Sequence, residues 1–267
     1  MHDDLIQLGL IEDEDIDLDD AAITLALLDH PEDEDDACLY VLADLAERLD
    51  DLASDVTEAP KQAALLAQVL GREFGFTGDV DTYDDPANAD LVRVIERRRG
   101  LPVSLSILYV AAARQLGWMA NVLDLPGHVL VLIGDETDPV IIDPFNGGRR
   151  VEPEQLAAFV QDMNQGREAA VTHVSTMTNR AVLVRLLQNQ ATRAEAGGQG
   201  RRALTLYQRM TIMAPGYAHA WWERARLELA DEDVAAARSS LTAMLEITRE
   251  PDLRERISTL LSSLVAH

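Results

Sequence analysis

Three features in the middle of the chain, the helix start after Gly100, His128 and Asp143, could together serve acyl transfer or amide hydrolysis. A hydroxyl becomes a nucleophile when a base takes its proton, and an imidazole serves as that base when a carboxylate fixes its tautomer. His128 follows Pro126-Gly127 and opens a β-rich run to Ile133, while Asp143 closes a second run from Val140, just before Pro144-Phe145. If the runs pair as an antiparallel hairpin whose residue numbers sum to 271 or 273, His128 and Asp143 share a face, opposite or diagonally adjacent. The helix start after Gly100 would place free amides beside them that favour developing negative charge. The same residues also admit structural roles, a turn histidine and a strand-end aspartate.

The elements that must position these residues can be read from periodicity. Pro102 suits the first turn of a helix, and residues 104–116 are apolar almost all round, which predicts a buried central helix stopped by Gly117. Short β-rich runs follow at 121–123, 128–133 and 140–143, the last two joined by a Gly134-to-Pro139 segment suited to a hairpin. Ahead of the central helix, amphipathic patterns predict helices at 21–28, at 37–49 with Leu39, Leu42, Leu45, Ala46 and Leu49 on one stripe, and at 62–74. A long Gly, Asp, Tyr and Pro-rich loop spans 75–88, and Asn88 or Asp90 is expected to cap a helix ending at Arg97-Arg98-Arg99-Gly100. The arginines complement the C-terminal dipole, and Gly100 is expected to take the left-handed cap.

The last third is helical and carries an internal period. Leu187 and Trp221, Ala191 and Ala225, Ala203 and Ala237, Tyr207 and Leu241, and Met210 and Met244 are each 34 residues apart, the tetratricopeptide spacing. The second unit departs from the pattern by placing Arg224 and Glu228 at usually apolar positions. Two units have little core of their own, so they are expected to pack against the preceding domain and to bury Tyr207 and at least one of Trp221 and Trp222.

Charge and cysteine content exclude several function classes. The chain of 267 residues carries 47 acidic and 23 basic side chains, a formal charge of −24, which disfavours nucleic acid and anionic membranes as partners. Residues 1–60 hold 21 acids and the single base Arg48, so the body of the chain is nearly balanced. The alternating acids at Asp13, Asp15, Asp17 and Asp19 lack the Gly and Glu of a calcium loop, with Leu18 and Thr24 in their places, and read as a solvated leader over 1–20. One cysteine, Cys38, excludes an intramolecular disulfide and a multi-thiolate zinc site; within a helix and with no cationic neighbour in sequence, it reads as an inert thiol. No apolar run is long enough to span a bilayer and the start lacks a secretory n-region, so a cytoplasmic protein without cofactor or metal is expected.

Four ordered segments carry a resemblance: Tyr83-Asp-Asp-Pro-Ala-Asn88, Val94-Ile-Glu-Arg-Arg-Arg-Gly-Leu-Pro-Val-Ser-Leu105, Leu125-Pro-Gly-His128 and Ile142-Asp-Pro-Phe-Asn-Gly-Gly148. Together they resemble the SirB group of transglutaminase-like proteins, and the tetratricopeptide-like tail is typical of that group. The resemblance implies a papain-like core in which a cysteine starts the central helix and a histidine and an aspartate follow on successive strands. His128 and Asp143 match the second and third members, whereas Pro102 falls under the cysteine and offers no nucleophile. Ser104 is the nearest hydroxyl, two residues on, a turn of about 200° that would point it away from the cysteine direction.

The expected architecture is therefore α+β: an acidic leader over 1–20, a transglutaminase-like domain with helical lead-in and small antiparallel sheet over 21–172, and C-terminal helical hairpins over 173–267. Two function classes follow. In the first, the fold is a non-catalytic module that binds a protein or peptide partner. In the second, Ser104, His128 and Asp143 form an atypical hydrolase or acyl-transfer site acting on peptide or amide substrates.

Overall fold

The computed structural model describes residues 2–30, 36–125, 127–135, 137–164 and 175–264. In chain order the helices are α1 (His2–Leu10), α2 (Leu18–Leu27), α3 (Asp36–Ala53), α4 (Ala59–Leu66), α5 (Leu91–Arg97), α6 (Pro102–Gln115), α7 (Pro153–Asn164), α8 (Asn179–Ala196), α9 (Gly200–Met213), α10 (Ala218–Ala230), α11 (Val234–Ile247) and α12 (Pro251–Ser263). The strands are β1 (Thr77–Gly78), β2 (Arg99–Gly100), β3 (Ala120–Leu125), β4 (His128–Ile133), β5 (Val140–Asp143), β6 (Arg149–Arg150) and β7 (Ser175–Thr176). They form two compact units: Asp13–Leu186, and Met1–Glu12 with Leu187–His267. The division falls within α8, and the boundary expected at 172/173 lies outside the described residues, as do Pro126 and Glu136 of the two turns.

The first unit is the α+β part. Its five-stranded sheet is antiparallel, in the order β6-β5-β4-β3-β7, while β1 and β2 form a separate parallel pair. Helix α6 starts at Pro102 and is buried on nearly every side, as its unbroken apolar sequence requires, and it packs on β3 and β4. Helix α5 begins where Asp90 accepts the Arg93 N–H at 3.1 Å. Its end corrects the expected cap: Arg98, not Gly100, takes the left-handed conformation at φ 58°, and Gly100 is spent in β2, paired with Gly78. Arg98 is held there with its guanidinium over the Phe76 ring at 4.7 Å.

Two further expectations are corrected by packing. On α3 the buried stripe is Cys38, Leu45 and Leu49, and Leu39 is exposed. The leader is not simply solvated: Asp13 accepts the backbone N–H groups of Asn179 and Arg180, each at 2.9 Å, and so caps α8 from 166 residues away. The free amides that Asp13 meets belong to a helix remote in sequence, which no local pattern signals.

In the second unit Leu5 and Leu8 of α1 are buried, and α1 packs on α9. The 34-residue pattern marks its core, since Ala191, Ala203, Tyr207, Met210, Ala225, Ala237, Leu241 and Met244 are all buried. Neither tryptophan is buried as expected; Trp221 and Trp222 are half-buried against the Ala225, Leu241, Met244 and Ile257 cluster. Trp221 stays near the surface because its Nε1–H donates to the Pro215 carbonyl at 2.8 Å. Among the described residues no helix is long and apolar enough to cross a membrane.

Candidate functional site

Strands β4 and β5 pair Val131 with Ile142, Leu132 with Ile141 and Ile133 with Val140. Strand alternation then places His128, Leu130 and Leu132 on one face with Ile141 and Asp143. That face meets α7, whose Leu156 and Phe159 pack with Leu123, Leu125, Leu130 and Val151. The opposite face, Val129, Val131, Ile133, Val140 and Ile142, is fully buried, which fixes the register because a one-residue slip would exchange the two sets.

The structure brings His128 and Asp143 together. His128 Nε2 lies 3.0 Å from Asp143 Oδ2, and the ring stacks on Phe159 at 5.6 Å with Phe145 edge-on at 6.2 Å. Asp143 Oδ1 accepts the N–H groups of Phe145 at 3.0 Å and Asn146 at 3.3 Å, and Oδ2 accepts the Asn146 side-chain amide at 2.7 Å. Burial pushes this carboxyl up, but the His128 hydrogen bond and charge and the Asn146 donors outweigh burial and hold it below its ordinary 3.8. In a neutral imidazole, donation from Nε2 to Asp143 leaves Nδ1 as the proton acceptor, and no described group bonds to it.

Ser104 is held elsewhere. It is fully buried, and its hydroxyl donates to the Asn88 carbonyl at 2.8 Å. The same carbonyl accepts the Leu101 N–H at 2.9 Å, while the Asn88 side-chain amide donates to Thr82 O at 2.7 Å. Ser104 thus fastens the loop before α5 to the first turn of α6. Among the described residues, neither His128 nor Asp143 hydrogen-bonds to that turn. Phe145 links the two regions instead: its carbonyl accepts the Thr77 hydroxyl at 3.1 Å, its ring lies against Gly78, and β1 pairs with Arg99 and Gly100 beside Pro102.

Sequence reasoning missed α7 and with it Phe159. The signal was present: Pro153 is suited to a first turn, and Leu156, Phe159 and Val160 follow at helical spacing. It also missed Tyr109, whose fully buried hydroxyl has no hydrogen-bond partner among the described residues and whose pKa is driven well up by burial, then by the Asp143 charge, so it stays protonated.

A second carboxylate sets the loop. Asp79 accepts the Thr82 hydroxyl at 2.6 Å and N–H at 2.8 Å and pairs with Arg97 at 3.1 Å; the Thr82 bonds are the main reason its pKa falls from 3.8 to about 2. A depressed folded-state pKa stabilises fully above the unfolded value and is lost as pH falls through the folded one. The urea midpoint of the wild-type protein should therefore exceed that of Asp79→Asn at neutral pH, and the gap should close as pH falls from 3.8 toward about 2. A gap independent of pH would contradict this assignment.

Comparison with known proteins places the region that holds these strands and the buried helix in a family. A family model of the transglutaminase-like superfamily matches residues 36–188. The chain belongs to the transglutaminase-like superfamily. A UPF0162 protein of Xylella fastidiosa strain 9a5c is 29% identical over 246 residues, covering 90% of this chain and 87% of that one. A second, from strain Temecula1, is 31% identical over 188 residues, covering 68% and 66%. Human F-box only protein 21 is 26% identical over 129 residues, 45% of this chain and 20% of that protein.

Among the described residues, neither His128 nor Asp143 bonds to the thiol of this transglutaminase-like chain. Cys38 is 1% exposed on α3 with Sγ 3.7 Å from the Val92 carbonyl. The fold does give it a cationic neighbour that the sequence concealed, since Arg98 lies within electrostatic range.

Proposed function

We propose that the chain uses the transglutaminase-like fold as a non-catalytic binding or regulatory module in the cytoplasm, engaging a protein or peptide rather than nucleic acid or membrane. The single observation that carries this reading is the placement of Ser104, whose hydroxyl is buried and committed to the Asn88 carbonyl. With Pro102 at the helix start, the His128–Asp143 pair has no hydroxyl or thiol of the chain bonded to it among the described residues. A general base without an aligned nucleophile has no proton to abstract from the chain. In this reading the aromatic-lined His128 region holds the partner's chain, and the C-terminal hairpins act as SirB-type, tetratricopeptide-like recognition surfaces.

One observation favours the second reading, a hydrolase or acyl transferase on peptide or amide substrates: among the described residues no group bonds to His128 Nδ1. Incubation of the protein with peptide amides and acyl donors separates the two. No turnover is expected beyond that of His128→Ala, while binding to a peptide array should be lost in His128→Ala and kept in Cys38→Ala. Turnover abolished by Ser104→Ala or His128→Ala would establish the catalytic reading instead.

A further inference from the structure

Next to the His128–Asp143 pair is a cavity of about 310 Å³ to which β5, β6 and α7 all contribute. Its wall is apolar where Val151, Ala158 and Phe159 face it, and Phe159 is the ring that stacks on His128. Two donor groups in its lining are unspent among the described residues. The Arg149 guanidinium has neither an ion pair nor a hydrogen bond, whereas its neighbour Arg150 pairs with Glu152 at 3.3 Å. Gln155 uses its oxygen to accept the Glu152 N–H at 3.0 Å, which leaves its amide N–H groups free.

Asp143 also lines the cavity, yet it does not compete for Arg149. Its oxygens are taken by His128, Asn146 and two backbone N–H groups. The complement to a guanidinium and an amide donor beside an apolar wall is an acceptor-only group with two oxygens, one negative charge and an apolar stem. With one unpaired guanidinium lining it among the described residues, in a chain of net charge −24, the cavity suits one negative charge rather than two.

We infer that this cavity binds the carboxylate of a peptide-like ligand, held by Arg149 and Gln155 with its apolar carbons against Phe159. The inference rests on reading the site as a peptide-binding cleft, and it names what that cleft recognises. The carboxylate can come from a peptide C-terminus or from an acidic side chain.

The full chain, labelled with nitrogen-15, is titrated at constant ionic strength with N-acetyl-leucine, with the α-amide of N-acetyl-aspartic acid and with N-acetyl-leucinamide. The Arg149 Nε–H and Gln155 side-chain resonances should shift with the two carboxylates and not with the neutral amide. The tighter of the two carboxylates identifies the source. Arg149→Ala should weaken the carboxylates about tenfold or more, and Arg149→Lys should recover part of the loss. If the neutral amide shifts the same resonances as strongly, the carboxylate assignment falls while peptide binding stands. If no probe shifts them at millimolar concentration, the inference is overturned, and loss of peptide-array binding in His128→Ala remains the separate measure of the broader reading.

Discussion

Gly148→Ala is expected to destabilise the Asp13–Leu186 unit by about 2–5 kcal/mol, the sum of about 1–2 for a left-handed non-glycine residue and about 1–3 for overpacking. Gly148 has φ +76°, and a Cβ there would stand 2.8 Å from Tyr109 Cε1 and 2.9 Å from both Cα and Cβ of Ala67. One of those contacts is with backbone, which cannot rotate away. The Gly148 N–H also donates to the Asp143 carbonyl at 2.9 Å, so the strain falls on the residue that orients His128. Urea unfolding should show the lower midpoint, and the His128 ring protons should lose the chemical shifts imposed by stacking on Phe159. An unchanged midpoint with unchanged ring shifts would show that the loop absorbs the added methyl and that Gly148 is not a constraint on the site.

The parts of the site set by local pattern were legible in the sequence. Both hairpin strands have their expected ends, His128 to Ile133 and Val140 to Asp143, because one face is fully buried and the other only partly, which leaves little freedom of register. Pro102 marks the start of α6 for a similarly local reason, since its missing N–H costs nothing in a first turn. What escaped were partners fixed by the tertiary fold. Nothing near Ser104 in sequence announces that its hydroxyl will meet Asn88 O, and nothing near Asp13 announces the amides of Asn179 and Arg180. The left-handed residue after α5 fell to Arg98 because aromatic rings at Phe74 and Phe76 receive its side chain, an advantage no turn propensity contains.

The same distinction governs the second repeat-like unit, where Arg224 and Glu228 look like defects in an apolar pattern and are instead partners. Glu228 is 2% exposed, accepts Arg224 Nε at 2.8 Å on one oxygen and the Ser240 hydroxyl at 2.6 Å on the other. Arg224 reaches on to the Thr211 hydroxyl at 3.0 Å, so the cluster joins α9, α10 and α11. Breaking a buried ion pair by removing one member costs more than the pair is worth, because the remaining charge keeps its desolvation without its partner. Full burial would set that cost at about 3–5 kcal/mol; with the Arg224 side chain 24% exposed, Glu228→Ala should cost about 2–4 kcal/mol. Replacing both members by leucine restores the apolar pattern and removes the stranded charge, so the Arg224→Leu/Glu228→Leu protein should regain at least half of the stability lost by Glu228→Ala. Thermal and urea unfolding of the three proteins measure this directly. A double variant less stable than Glu228→Ala would mean that the polar cluster, rather than apolar fill, is what these three helices require to pack.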